Sequence, residues 1–296
     1  MSIGRPDPPQ LPAEARARVE SDYYTFMNFD STANKDGRRH YLPFFDQGPV
    51  LELACGRGEF LELLREVGIE ARGVDNDRGM VEHGSERGLR IDLGDATVHL
   101  QTLGSGSLGG VFCAHFLEHL PAEAVEGVFQ QAARVLRPGG TFVAAVPNAA
   151  SLSVLGYDFW RDPTHVRFYD PMLLAFFAHR AGLEVVESGG NPNNDPGPPP
   201  ELVPLDMTAG PAVGEAIRLL VRLATSIYPN RRVPLAGRRR AVWLRLGELV
   251  SQLDRTVQEL QHQVYSLHES QRRLLTQLYP PNEVYLVARA PRRADG

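Results

Sequence analysis

The sequence predicts an α/β fold built as a doubly wound parallel sheet with helices on both faces. Short apolar segments alternate with helical stretches from Pro49 to about residue 190. This alternation is typical of successive βαβ units. A small-residue turn follows the first predicted strand, and an acidic residue ends the second. In open α/β sheets, such positions lie at the edge where ligands bind.

The predicted elements follow one another along the chain. Residues 14–46 have the pattern of helical pieces broken near Asp36-Gly37. Six strand segments then follow: PVLELA, EARGVD, LRIDL, GGVFCAHF, TFVAAVPN and LEVVESG. Predicted helices begin at Glu59, Arg78, Pro121 and Pro171.

The alternation stops near residue 190. Residues 190–214 are rich in Gly, Pro and Asn, which indicates an irregular connector. A short apolar helix near 215–227, an arginine-dense segment over 231–245 and a long helix over 241–278 come next, and EVYLVARAP is predicted to rejoin the sheet. The expected organisation is an N-terminal tail and helix (1–34), a core (35–190), a helical insertion (191–280) and a final strand with a tail (281–296).

Composition excludes several classes of protein. With 43% hydrophobic and 23% charged residues, the chain has the make-up of an ordinary globular protein. A net charge of -5 argues against a general nucleic-acid binder. The two cysteines, Cys55 and Cys113, form no disulfide framework, so a reducing compartment, the cytoplasm, is expected.

The long helix carries a heptad pattern. Leucine recurs at every d position (246, 253, 260, 267 and 274), and valine fills the first three a positions before Gln271 and Leu278. This choice favours a parallel two-stranded coiled coil, so a homodimer through 241–278 is expected. The alternative is a helix that packs within its own chain.

The segment VLELACGRGEF, residues 50–60, is the most informative stretch of the sequence. A strand ends in a turn of small residues that let a ligand approach the backbone, and a helix N-terminus follows. Asp75 comes 19 positions after Gly56, where an acid can accept both hydroxyls of a ribose. Binding sites for NAD and for S-adenosylmethionine both have this arrangement of a small-residue turn and an acid.

Three features favour S-adenosylmethionine. Glu52 lies inside the first strand, Gly94-Asp95-Ala96 follows the third, and LRPGG precedes the fifth. With these motifs, together with GVDND and FLEHLP, the sequence resembles the class I S-adenosylmethionine-dependent methyltransferases over roughly residues 35–190 and the last strand. The resemblance implies a Rossmann-like seven-stranded sheet, with residues 191–280 inserted before an antiparallel last strand. Ala54 departs from it, because most members have glycine there.

The resemblance also implies cofactor contacts. Gly56 and Gly58 would face the methionine part, Asp75 with Asn76 would hold the ribose, and Asp95 with Ala96 would contact the adenine. His115 and Phe116 would lie beneath the sulfonium, and Glu52 and Ala54 complete the expected set. For Asp95 the alternative is an acid of a surface loop.

Residues 115–119 also match the His-x-x-Glu-His pattern of some metallopeptidases. That pattern needs one helix to place both histidines on one face, whereas His115 ends a predicted strand and Pro121 follows closely. No metal is therefore expected, and His119 is interpreted as a structural or substrate-side residue.

The segment FWRDPTHVRF, residues 159–168, lies where this fold places acceptor-binding groups. It resembles the Asp-Pro-Thr-His-x-Arg segment of methyltransferases found with O-antigen and other surface-polysaccharide genes. Methylation of a hydroxyl removes its proton, so His165 is the candidate general base, oriented by Asp162. Arg161, Arg167 and Trp160 are candidates for binding the acceptor. The alternative for His165 is a structural role in its turn.

The sequence therefore predicts an O-methyltransferase acting on a hydroxyl, or a terminal phosphate, of a saccharide or saccharide-linked acceptor. A small-molecule or natural-product methyltransferase is the first alternative, and a coiled-coil scaffold with a weakly active methyltransferase fold is the second. The arginines near residues 231–245 also allow contact with an anionic membrane surface, although a solvated basic face is the simpler interpretation.

Overall fold

A computed structural model describes residues 31–194 and 237–292, together with Glu215, Leu219 and Arg222. The chain divides into two units, one of Met1–Gly197 with Tyr279–Gly296 and the other of Pro198–Leu278. The predictions for the tail before residue 31, for most of the 215–227 helix and for much of the connector and arginine-dense segment lie outside the described residues.

Seven strands form one mixed sheet in the order β3-β2-β1-β4-β5-β7-β6, which confirms the predicted fold class. Strands β1 to β5 are parallel, and β7 runs antiparallel to both β5 and β6. The strands are β1 Val50–Leu53, β2 Ala71–Asp75, β3 Ile91–Leu93, β4 Leu108–Ala114, β5 Leu136–Pro147, β6 Glu184–Gly190 and β7 Glu283–Arg289. Because the strand order reverses between β1 and β4, a crevice is expected at their carboxyl ends.

Helices cover the sheet, and the insertion contains a further helix. They are α1 Ser31–Arg39, α2 Glu59–Glu66, α3 Arg78–Glu86, α4 Ala96–Thr102, α5 Ala122–Val135, α6 Pro171–Arg180 and α7 Gly237–Leu278. A 3-10 turn spans Leu117–His119, and a π-helical turn, Val154–Asp158, leads into the single α-helical turn Phe159–Arg161. Helix α4 was not predicted from the sequence.

Alternate residues of the central strands enter two different hydrophobic clusters. Leu51 and Leu53 pack with residues of α4, α5 and α6, whereas Val50 packs with residues of α2. Both faces of these strands are thus buried, which explains why they are almost continuously apolar in the sequence.

The predicted helix break near Asp36-Gly37 is wrong, because α1 runs continuously through both residues. A glycine inside a helix costs about 1 kcal/mol relative to alanine. Contacts with the core offset this cost: Lys35 pairs with Glu62 at 3.2 Å, and Arg38 pairs with the buried Glu52 at 2.8 Å. The helix also crosses the expected boundary between residues 34 and 35.

The last strand, β7, begins where the chain returns from the insertion. The backbone N–H of Asn282 donates to the carbonyl of Asn194 at 2.8 Å, and that of Asn148 donates to the carbonyl of Asn282 at 2.8 Å. The two ends of the inserted segment therefore meet beside the carboxyl end of β5. This position gives the first residue of β7, Glu283, access to the ligand-binding edge of the sheet.

Within the second unit, α7 is a single helix of 42 residues that begins four positions before its predicted start. Leucines 253, 260, 267 and 274 of the predicted d positions are each more than half exposed. Among the described residues, none of the helices is both long and apolar enough to cross a membrane.

Candidate functional site

The turn after β1 has a backbone that few residue types adopt. Gly56 and Gly58 have φ values of 54° and 80°, and Ala54 has a φ of 49°. The left-handed conformation costs a residue with a Cβ roughly 1–2 kcal/mol. This explains why glycine is common at the position of Ala54 in the family that the sequence resembles, and it shows that alanine still permits the turn.

Tight packing explains the glycine at position 58. A Cβ there would lie 2.6 Å from Cδ1 of Leu89. Gly58 also precedes α2, whose first backbone N–H groups have no partner within the helix. The start of α2 thus offers backbone N–H groups beside this turn.

Asp75 ends β2 and ties this turn to the neighbouring strand. One carboxylate oxygen accepts the N–H of Gly56 at 2.7 Å, and the other accepts the N–H of Asp77 at 2.9 Å. Burial raises the pKa of Asp75, while these backbone hydrogen bonds oppose the rise. Each oxygen keeps a lone pair, so the carboxylate can still accept two hydroxyl groups. This arrangement fits the ribose of an adenosyl cofactor.

Glu52 is fully buried beneath the turn. Its pKa is raised to about 8 by burial, against the opposing charge of Arg38. Arg38 lies 2.8 Å from Oε1, whereas Oε2 has no hydrogen-bond partner among the described residues. The side chain anchors α1 to β1, and its contact with a cofactor remains a prediction.

Asp95 caps α4. Its Oδ1 accepts the backbone N–H groups of Thr97 and Val98 at 2.8 and 3.0 Å, and the hydrogen bond from the Thr97 hydroxyl is the main reason that the pKa of Asp95 is lowered. Ala96 is buried, and Asn76, beyond the end of β2, is exposed. The structure therefore gives Asp95 a capping role in addition to its predicted contact with adenine.

His115 follows β4 with a φ of 53°, and both of its ring nitrogens face carboxylates. Nδ1 lies 3.3 Å from Glu118 and Nε2 lies 2.6 Å from Glu283. Burial by itself lowers the pKa of His115, but the two carboxylates raise it to about 10. The ring is therefore a cation near neutral pH and is unsuited to be a general base. Phe116, next to it, packs against the core.

Glu283 was not predicted as a site residue. This buried carboxylate accepts hydrogen bonds from the Tyr41 hydroxyl, from Nδ2 of Asn191 at 2.6 Å and from His115. Burial by itself raises the pKa of Glu283, but the hydrogen bond and charge of His115, with the other two donors, lower it to about 2. An acid at the start of the otherwise apolar segment EVYLVA was the available signal.

The segment after β5 forms a loop held by its own side chains. Oδ1 of Asp162 accepts the backbone N–H of Thr164 at 2.8 Å and its hydroxyl at 2.6 Å. The ring of His165 is fixed by the carbonyl of Phe159, 2.6 Å from Nδ1. Oδ2 of Asp162 lies 3.5 Å from Nε2 instead. The carbonyl of Phe159 therefore fixes the ring at Nδ1, and Asp162, the predicted orienting residue, faces the other nitrogen.

The same loop packs on the segment after β4. The N–H of Val166 donates to the carbonyl of Glu118 at 2.8 Å, and Nδ1 of His119 lies 2.8 Å from the Thr164 hydroxyl. The rings of His119 and His165 are 4.7 Å apart. Burial lowers the pKa of His119, with the carboxylates of Glu118 and Asp162 opposing it. The fold thus brings together two of the predicted residues that lie far apart in the sequence.

The remaining candidates for acceptor binding differ in exposure. Trp160 is 65% exposed, and its indole N–H donates to the carbonyl of Leu155 at 2.9 Å. Arg161 and Arg167 lie over the rings of Tyr157 and Tyr169 at 5.4 and 5.0 Å from the centroids. Phe159 is instead buried and stacked on Phe168, so it is part of the core.

A family model described as a methyltransferase domain matches residues 28–188. The chain is 33% identical over 143 residues to a probable S-adenosylmethionine-dependent methyltransferase of Mycolicibacterium smegmatis. It is 30% identical over 156 residues to a ubiquinone biosynthesis O-methyltransferase of Cupriavidus pinatubonensis. Each match covers 48% of this chain, and they span 54% and 62% of the respective relatives.

A solved structure shares the fold. A S-adenosylmethionine-dependent methyltransferase from Archaeoglobus fulgidus aligns with a TM-score of 0.57 at 23% identity, covering 90% of this chain and 97% of that one. At this identity the likeness concerns the fold alone. Together with the match over residues 28–188, it agrees with a methyltransferase fold for this chain.

Proposed function

The chain belongs to the methyltransferase-domain family, and from this premise we propose that it transfers a methyl group from S-adenosylmethionine to a hydroxyl of a saccharide or saccharide-linked acceptor. The main support for S-adenosylmethionine as the methyl donor is the carboxylate of Asp75. It accepts a hydrogen bond from the N–H of Gly56 at 2.7 Å. It holds the glycine turn against β2 and keeps acceptor capacity for a ribose. When bound, the donor supplies an electrophilic methyl group.

The residues of the cofactor site have separate tasks in this proposal. Gly56 and Gly58 let the backbone approach the donor, and Asp75 with Asn76 fixes its ribose. Asp95 and Ala96 lie where the adenine is expected, at the end of β3. The imidazolium of His115 and the ring of Phe116 border the methyl-transfer region at the end of β4.

An oxygen acceptor is supported by the relatives named as ubiquinone biosynthesis O-methyltransferases and by the tautomer of His165. Because Nδ1 donates to the carbonyl of Phe159, the neutral ring keeps its lone pair at Nε2. That nitrogen can take the proton of an acceptor hydroxyl, and Asp162 at 3.5 Å would stabilise the resulting cation.

A saccharide acceptor is supported by exposed aromatic rings beside this loop. Trp160 and Tyr157 are 65% and 64% exposed, and flat rings of this kind pack well on the apolar face of a sugar. Arg161, over Tyr157, adds a cation for an anionic group of a glycan. The second candidate is a small-molecule hydroxyl, which the relatives named for ubiquinone biosynthesis favour.

Methyl transfer can be tested with two acceptor panels. Mannose- and rhamnose-containing oligosaccharides form one panel, small-molecule hydroxyl compounds form the other, and methylated products are detected by mass spectrometry. We expect a product from the first panel, and a roughly 100-fold lower kcat for His165→Ala with the exposed His83→Ala as the control. Trp160→Ala should raise KM with little change in kcat. A product from the second panel alone would reject the saccharide.

We also propose that α7 pairs with the α7 of a second copy. Leucines 253, 260, 267 and 274 of the d positions are exposed in the single chain, and burying such a row is the usual driving force of a coiled coil. Sedimentation should give twice the mass of a single chain. Leu260→Asp with Leu267→Asp should give the single-chain mass, whereas Gln258→Asp with Ser266→Asp, on the outer face, should not. A single-chain mass for the natural protein would contradict the pairing.

A further inference from the structure

The carboxylate of Glu118 is buried in an unusual way. Its side chain is fully buried, and neither oxygen accepts a hydrogen bond from any residue that the structure describes. Nδ1 of His115 lies 3.3 Å from Oε1, within ion-pair distance, but that ring is also bound to Glu283. A buried carboxylate is costly unless charges or donors satisfy it, and the His115 cation beside Oε1 is shared with Glu283.

Two histidines beside Glu118 have their Nδ1 atoms engaged by oxygen acceptors. The Nδ1 of His165 donates to a carbonyl, which can only accept, so in the neutral ring the lone pair is at Nε2. The Thr164 hydroxyl donates to Asp162 and therefore accepts from Nδ1 of His119. The Nε2 of His119 thus also carries a lone pair. Oxygen acceptors at the far nitrogen orient histidines in this way in metal sites.

These three groups converge. One ligand atom from each of Glu118, His119 and His165 lies within 4.8 Å of the others, and the Nε2 of His165 is 3.9 Å from Oε1 of Glu118. Bonds to zinc are about 2.0–2.2 Å long for these ligand types, so the ligands of one ion lie roughly 3–4 Å apart. A contraction of up to about 1–2 Å would allow all three to bind one ion.

We propose that Glu118, His119 and His165 form a binding site for a divalent transition metal, with Zn²⁺ as the best match. Two imidazoles and one carboxylate suit zinc and related ions better than Mg²⁺ or Ca²⁺, which prefer oxygen ligands. Three protein ligands leave one coordination position open, as in catalytic zinc sites. This proposal departs from the sequence prediction that no metal binds.

The ligand set also differs from the His-x-x-Glu-His pattern. In that pattern, His115 and His119 would bind together, whereas the structure turns both nitrogens of His115 towards carboxylates. In the proposed site, His165 is the second histidine ligand instead of His115. The hydrogen bond between Val166 and the carbonyl of Glu118, at 2.8 Å, holds the loop that carries His165 against the other two ligands.

The consequence for catalysis rests on the proposed methyl transfer, whereas metal binding itself does not. An acceptor hydroxyl at the open position would lose its proton to water more readily, because the ion stabilises the alkoxide. His165 would then be a ligand rather than the general base. The two roles exclude each other, because both need the lone pair at Nε2.

Calorimetric titration of the chelator-treated full chain with Zn²⁺ tests the site. We expect one high-affinity equivalent, weakened at least roughly 100-fold in His165→Ala and in Glu118→Gln, with exposed His83→Ala as the matched control. Thr164→Val, which removes the hydroxyl that bonds His119 and Asp162 but none of the three proposed ligands, should weaken binding roughly 10-fold or more. Binding of S-adenosylhomocysteine reports whether each variant is folded.

Several outcomes would overturn the proposal. These are the absence of a stoichiometric Zn²⁺ equivalent in the natural chain, and equal Zn²⁺ affinity in folded His165→Ala, folded Glu118→Gln and the control. The spectrum of bound Co²⁺ adds a readout independent of activity, since it should show nitrogen ligands that are lost in His165→Ala. If Zn²⁺ binds but no acceptor is methylated, the site stands and the proposed function fails. If methylation proceeds at the full rate without metal, the proposed catalytic role of the metal is rejected.

Discussion

Replacing Asp75 with alanine is expected to weaken the binding of S-adenosylhomocysteine at least roughly 100-fold. Two hydroxyls of a ribose would each form a charge-assisted hydrogen bond with this carboxylate, and such bonds contribute about 1.5–3 kcal/mol each. The substitution also removes the acceptor that holds Gly56 and Asp77 in place. Loss of ligand contacts and loss of preorganisation therefore act in the same direction.

Isothermal titration calorimetry measures this effect directly. Asp92→Ala is a suitable control, because Asp92 is an exposed acid on the adjacent strand β3 and should bind the ligand normally. Asp75→Asn keeps the shape and one acceptor oxygen, so its affinity for the ligand should lie between those of Asp75→Ala and Asp92→Ala. Unchanged affinity in Asp75→Ala would refute the assignment of this edge of the sheet as the cofactor-binding edge. If the folded natural chain does not bind the ligand at all, the scaffold interpretation becomes the better one.

Replacing Glu283 with glutamine is expected to lower the free energy of unfolding by about 3 kcal/mol. The carboxylate is buried and accepts hydrogen bonds from Tyr41, Asn191 and His115. Only one of the two terminal atoms of a glutamine side chain is a hydrogen-bond acceptor, and the side chain is neutral. The substitution therefore leaves the cation of His115 with a weaker partner. Chemical denaturation would measure the loss.

The matched control is Glu187→Gln. Glu187 also accepts a hydrogen bond from a tyrosine hydroxyl, that of Tyr285, at 2.5 Å. Unlike Glu283, however, Glu187 is exposed. Exposed interactions contribute little, so we expect a change below about 1 kcal/mol there. Equal destabilisation by the two substitutions would contradict the importance of the buried network.

The pH dependence of the same variant has a definite sign. The pKa of Glu283 is about 2 in the folded chain, below its ordinary value of 4.5. Its stabilising contribution is thus present above pH 4.5 and is lost as the pH falls towards 2. Glu283→Gln should therefore lose less stability than the natural chain over this acid range. An identical acid dependence of the two proteins would show that another group dominates.

Much of the fold follows from local sequence patterns. The alternation of apolar segments with helices predicts the parallel sheet, because a strand buried on both faces must be continuously apolar. The turn at Gly56 and Gly58 is equally local, since positive φ values favour glycine. Asp75 could be found because its distance along the chain from Gly56 is set by one βαβ unit.

Predictions from local sequence patterns failed where contacts between residues far apart in the chain determine the structure. Gly37 predicted a break in the first helix, but the ion pairs of Lys35 and Arg38 with other elements keep the helix continuous. Likewise, the sequence could not indicate that the carbonyl of Phe159 would fix the ring of His165. A backbone carbonyl has no sequence signature.

The sequence by itself determined the sheet, the turn that faces Asp75 and the heptad of α7. Only the tertiary structure decided which ionisable groups meet. Tyr41 and Glu283 are 242 positions apart, and His119 and Thr164 are 45 apart. The physical reason is that periodicity and turn chemistry act over a few neighbouring residues, whereas a buried carboxylate takes its partners from whichever strands and loops the folded sheet places beside it.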